Sequence, residues 1–117
     1  MTDNQSENEE IVDLTNVREI IKDDKAMAEK LFGIFITDSM KYITMLENNC
    51  TPDASEIWKD NAHALKGVAL SLGANKLAKV SNETKANHNA SPEEKTNMLN
   101  EIKSEFQKVK EFLKKLS

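Results

Sequence analysis

His63 stands with Lys66 three residues on and Gly67 four residues on, inside the run Asn61-Ala62-His63-Ala64-Leu65-Lys66-Gly67-Val68. Three- and four-residue spacings share one face of a helix, so positive charge and open space both flank the imidazole. Lys59 adds a second cation one turn earlier. An imidazole offers a neutral nucleophilic nitrogen near pH 7, and a cation beside it can hold the oxygens of an anion that the ring has accepted. The arrangement suits a histidine that carries an anion and is approached by another protein.

A helical wheel at about 100° per residue gathers Ile57, Trp58, Ala62, Leu65, Val68, Ala69 and Leu72 on one broad arc, joined by Asn61. His63 projects roughly opposite the centre of that arc, among Lys59, Lys66, Gly67 and Leu70. The wheel alone admits an ordinary surface histidine equally well. Gly67 tips the reading, because a glycine inside a helix costs about 1 kcal/mol relative to alanine. Either it permits close helix packing or it leaves room for a partner to reach the ring, and it projects beside His63 rather than towards the core.

The elements that must carry this helix follow from periodicity and punctuation. Met1 to Glu10 is polar and acidic and reads as a disordered tail. Leu14, Val17, Ile20 and Ile21 predict a short first helix over Asp13–Lys22. Asp23-Asp24 is a turn and N-cap for a long helix over Lys25–Asn48, with a core line of Leu31, Phe35, Tyr42 and Leu46 beside Phe32 and Ile43. Its apolar surface extends to Ile36 and Met40, a width that serves either two packing neighbours or a docking patch. Asp53 with Glu56 resembles a capping pair for the helix that holds His63, and Gly73 marks a left-handed end after Leu72. A further helix over Ala74–Asn87 lines up Leu77, Val80, Ser81 and Thr84. His88 extends that line as a helix-terminal contact or surface residue without chemistry of its own. Ser91-Pro92-Glu93-Glu94 combines a capping box with proline at the first helical position, and Leu99, Ile102, Phe106, Val109, Leu113 and Leu116 follow in threes and fours. The expected fold is all-α, an antiparallel four-helix bundle with a short additional N-terminal helix.

Composition narrows the function further. The chain has 117 residues, 31% charged and 38% hydrophobic, with 3 Gly and 2 Pro, enough for one domain and a tail. No run of about eighteen apolar residues is present, so no membrane span is expected. A net charge of -4, with no basic stripe interleaved with aromatics, disfavours nucleic acid. The basic cluster at Lys108, Lys110, Lys114 and Lys115 is read as support for a helix C-terminus. A single cysteine, Cys50, forms no internal disulfide and agrees with a reducing cytoplasm. Neither it nor the histidines have metal-ligand spacing. There is no phosphate-cradling glycine loop for ATP and no nucleophile elbow, so autonomous kinase or hydrolase activity is not expected.

The spacing His63-x-Leu65-Lys66-Gly67, followed by Leu72-Gly73-Ala74, resembles the signature of histidine-containing phosphotransfer (HPt) domains. The resemblance extends over 11–117 and implies the helical bundle of that family. By resemblance, His63 is the phosphorylated residue through its distal nitrogen Nε2, Lys66 contacts the phosphoryl group, and Gly67 is the small residue that gives access to the ring. Lys59, Leu70, Ile36 and Met40 are candidate docking residues, Leu70 standing where many members carry something smaller. The implied role is a phosphorelay intermediate that accepts a phosphoryl group from a receiver-domain aspartate and passes it to, or back from, a response-regulator receiver. The implied partners are receiver domains and a hybrid sensor kinase. No cofactor is implied for this chain, since Mg2+ belongs to the receiver's acidic pocket. A monomer is expected. The acidic tail and the regular C-terminal helix favour a free-standing shuttle over a domain of a larger hybrid kinase. The alternative is a helical docking module that binds receivers or kinases without accepting phosphate.

Overall fold

In the computed structural model, which describes residues 12–15, 22 and 24–116, four helices follow one another. They are α1 Lys25–Glu47, α2 Ser55–Leu72, α3 Asn75–Ala86 and α4 Pro92–Leu116. Their backbones lie closest between neighbours in the cycle α1–α2–α3–α4–α1, and short connections reverse the chain at every step. The result is the expected all-α antiparallel four-helix bundle. The expected first helix over Asp13–Lys22 and the tail 1–10 lie largely outside the described residues. Val12 and Leu14 are described, and both are buried in the bundle's core.

Local chemistry sets most boundaries. The Asp24 carboxylate accepts from the Met27 backbone N–H at 2.9 Å and starts α1, satisfying one otherwise orphan donor. The Ser91–Glu94 capping box forms as expected, with the Glu94 N–H donating to Ser91 Oγ and the Ser91 N–H to Glu94 Oε1. Cys50 is half-buried just past α1, and its Sγ contacts the Leu46 carbonyl.

The start of α2 differs from the expectation. Its N-cap is Ala54, with no capping side chain, so Asp53 and Glu56 do not form the anticipated pair. Ser55 is engaged instead from the α3–α4 connection, by His88 Nδ1 at 2.6 Å and Asn89 Oδ1 at 2.9 Å. His88 thus makes the helix-terminal contact expected of it.

Gly73 ends α2 with φ +92°, the left-handed geometry that glycine adopts without a Cβ penalty. Ala74 N–H donates to Ala69 O and Gly73 N–H to Leu70 O, which together form a Schellman motif. The N-terminal segment crosses this corner, and the Asp13 N–H donates to Gly73 O at 2.7 Å.

The core line of α1 is Phe32, Phe35, Ser39, Ile43 and Leu46. Leu31 and Tyr42, expected on that line, are only half-buried. The reason is that α1 packs against α2 on one flank and α4 on the other, so its most buried line bisects the two contacts. In α2 the buried line is Trp58, Ala62, Leu65, Ala69 and Leu72, a strict alternation of fours and threes. Ile57, placed on the apolar arc by the wheel, is 45% exposed.

Trp58 is fully buried and its indole N–H donates to Thr84 O on α3 at 3.0 Å. Lys95 of α4 is fully buried as well. Its ammonium lies 5.1 Å from the Trp58 ring centroid and donates to Thr51 O at 3.1 Å. That cation satisfies a carbonyl and an aromatic face at once.

Candidate functional site

The buried line of α2 fixes what the opposite face must show. With Ala62 and Leu65 held at zero exposure, His63 is turned outwards near the middle of the helix and is exposed. The face it shares with Lys59, Lys66, Gly67 and Leu70 therefore stands clear of the core, as the wheel implied.

Antiparallel pairing of α2 with α3 completes the surroundings. His63 faces Lys85, whose Nζ lies 3.5 Å from the ring's Nδ1. One turn on, Lys66 faces Asn82 and donates to its Oδ1 at 3.2 Å. Three residues forward on α2 match three residues back on α3, so both contacts belong to one register. Lys85 lies in the last turn of α3, where the negative end of the helix dipole favours a cation.

Lys85 was missed by the sequence reasoning. Helical spacing rules reach three or four residues, whereas Lys85 approaches His63 from the next helix. One signal could have found it. His63 and Lys85 lie at roughly equal distances on either side of the Gly73-Ala74 turn, and folding the hairpin at that turn sets them opposite each other.

Gly67 is exposed, and a Cβ built there would have nothing within 4 Å. No packing partner therefore demands glycine there. The two cations predicted on α2 differ in setting. Lys66 is held by Asn82, and Lys59 lies 3.8 Å from Glu56 one turn earlier. Of the three lysines only Lys85 lies against the imidazole, in a chain whose net charge is -4.

The docking candidates are dispersed. Leu70 is 48% exposed on the α2 face beyond Gly67, and Met40 is 50% exposed on α1. Ile36 is half-buried against the core and lines a groove with Lys110 and Leu113 of α4, so it is not brought together with His63. A smaller groove between α1 and α2 is lined by Ile34, Asp38, Val68 and Ser71. Ile34, at 50% exposure, is an apolar surface residue that was not singled out from the pattern.

Among the described residues, no group of three or more His, Cys, Asp or Glu is placed to hold a metal ion. No helix among them is long and apolar enough to cross a membrane.

What this geometry offers is an exposed imidazole on the outer face of α2, met at one ring nitrogen by Lys85 of α3. A family model for the Hpt domain matches residues 30–112, a span that takes in His63, Lys66, Gly67 and Lys85. No curated protein and no solved structure gave a significant match.

Proposed function

The chain belongs to the Hpt domain family, and on that premise we propose that His63 is the residue that accepts and returns the phosphoryl group. Membership carries a general role in phosphorelay histidine phosphotransfer, in which Hpt domains interact with receiver domains. The observation that supports His63 is its position, exposed at mid-helix, with Lys66 on the next turn and open space over Gly67.

The step moves one phosphoryl group. Nε2 of His63 attacks the phosphorus of a receiver's aspartyl phosphate, and the P–N bond forms as the P–O bond to the aspartate breaks. The electron pair leaves on the carboxylate oxygen. Lys66 then serves the phosphoryl oxygens, exchanging its neutral acceptor Asn82 for a charged one. Gly67 leaves room for the receiver's loops. The receiver brings Mg2+ in its own acidic pocket, and Lys59, Lys66 and Lys85 are complementary in charge to such a pocket and steer the encounter. Leu70 and Met40 are the better exposed docking residues; Ile36 contributes less.

The domain includes residues ahead of the matched span, since Val12 and Leu14 share its core. We place its boundary near residue 11, with the acidic segment 1–10 outside. Free Cys50 fits a reducing cytoplasm. The protein acts as a monomer that meets a hybrid sensor kinase's receiver and a response regulator in turn, with no kinase activity of its own.

The test compares binding with transfer for a panel of receiver domains. Wild type and His63→Ala bind a cognate receiver with similar affinity, and only wild type discharges the phosphorylated receiver. Similar affinity with no discharge by either protein would instead establish a docking module.

A further inference from the structure

Lys85 approaches the ring at Nδ1, the nitrogen that is not the proposed nucleophile. A lysine ammonium has three donors and no acceptor. The contact is therefore attractive only when Nδ1 presents its lone pair, which in a neutral imidazole puts the single ring proton on Nε2. Among the described residues no carboxylate forms an ion pair with Lys85, so no acidic side chain draws its ammonium away from the ring. We propose that Lys85 fixes the tautomer of His63, with Nδ1 as acceptor and Nε2 protonated, and thereby restrains both gain and loss of the phosphoryl group. The tautomer stands on the Lys85 contact alone, and its kinetic consequence rests on the reading that Nε2 of His63 is phosphorylated.

The restraint on gain follows from the proton. Attack on phosphorus needs a lone pair at Nε2, and in the tautomer held by Lys85 that site carries hydrogen. The ring must first give up the Lys85 contact and pass this proton through water to Nδ1, which frees the Nε2 lone pair. Once the P–N bond has formed, Nδ1 loses the proton to solvent, so one proton is released for each phosphoryl group gained and the contact with Lys85 forms again.

The restraint on loss comes from the same contact. When the P–N bond breaks, its electron pair stays on Nε2, and a proton on Nδ1 lets the ring leave as neutral imidazole. Lys85 occupies the lone pair on which that proton would arrive. Lys85 is thus a positioning residue that lengthens the life of the phosphohistidine at the expense of its rate of formation.

The experiment uses the 15N-labelled full chain in mildly alkaline buffer, where imidazole is neutral, with His63→Gln assigning the ring signals. Long-range 1H–15N spectra of wild type show the Nε2–H tautomer. Lys85→Met relaxes the ring to a mixture, Lys85→Arg restores the wild-type pattern, and Lys85→Glu, whose carboxylate only accepts, turns it to Nδ1–H. With phosphoramidate as donor, Lys85→Met gains and loses the phosphoryl group about three- to tenfold faster than wild type, the scale of one net hydrogen bond. An identical tautomer ratio in wild type, Lys85→Met and Lys85→Glu overturns the proposal. Absence of phosphate on His63 from phosphoramidate and from receivers overturns the proposed function and the kinetic half, while the tautomer assignment is read separately in the same spectra.

Discussion

Gly67 separates stability from function more cleanly than any other position near the ring. A Cβ added there meets nothing within 4 Å, and Gly67 is not among the residues with positive φ. Alanine therefore gains the full difference in helix propensity, about 0.8–1.0 kcal/mol, with no steric charge against it. For a domain of this size that corresponds to a rise in Tm of about 4–6 °C. Leucine gains nearly as much propensity and projects an isobutyl group over the approach to His63. A displacement of about 1 Å in the reacting groups can cost about 100-fold in rate, so transfer from a receiver to Gly67→Leu falls by at least tenfold. Thermal denaturation and single-turnover transfer, measured on the same preparations, give both numbers. The reasoning fails if either variant is less stable than wild type, since the site would then not be open. It fails equally if Gly67→Leu transfers at the wild-type rate.

Two further substitutions probe the surroundings. Lys66→Ala loses a partly exposed contact to Asn82, so stability changes by less than about 1 kcal/mol, while transfer slows or the phosphohistidine decays faster by about tenfold, the size of a charge-assisted hydrogen bond; unchanged kinetics would remove Lys66 from the mechanism. Gly73→Ala places a Cβ 1.8 Å from the Asp13 carbonyl oxygen at a φ of +92°, which forces the Asp13 contact open and loosens Val12 and Leu14. Denaturant unfolding should show a loss of about 3 kcal/mol, from left-handed strain and reduced burial together, and a loss under about 1 kcal/mol would show that the Asp13 segment yields freely.

Most of the bundle was legible because its cues are local. The Ser91–Glu94 box, the Asp24 cap and the left-handed Gly73 each act within a few residues, and all three form. The stripe of α4 was read correctly at Leu99, Ile102, Phe106, Val109 and Leu113. What escaped was set by neighbours distant in sequence. The start of α2 is held by His88 and Asn89 rather than by Asp53 and Glu56. The inward line of α1 passes through Ser39 and leaves Leu31 and Tyr42 together to one side, because two helices share its surface. Lys95, which any composition rule places on the surface, is buried against Trp58. The candidate site divides in the same way. His63, Lys66 and Gly67 lie on one turn and were found together, whereas Lys85 required the pairing of two helices.

The most direct test of the account is intact-mass analysis after incubation with a phosphorylated cognate receiver, in mildly alkaline buffer that preserves phosphohistidine. Wild type gains one phosphoryl group, His63→Gln gains none, and the receiver is discharged only by wild type. Equal labelling of the two proteins would place the acceptor elsewhere in the chain and contradict the assignment of His63.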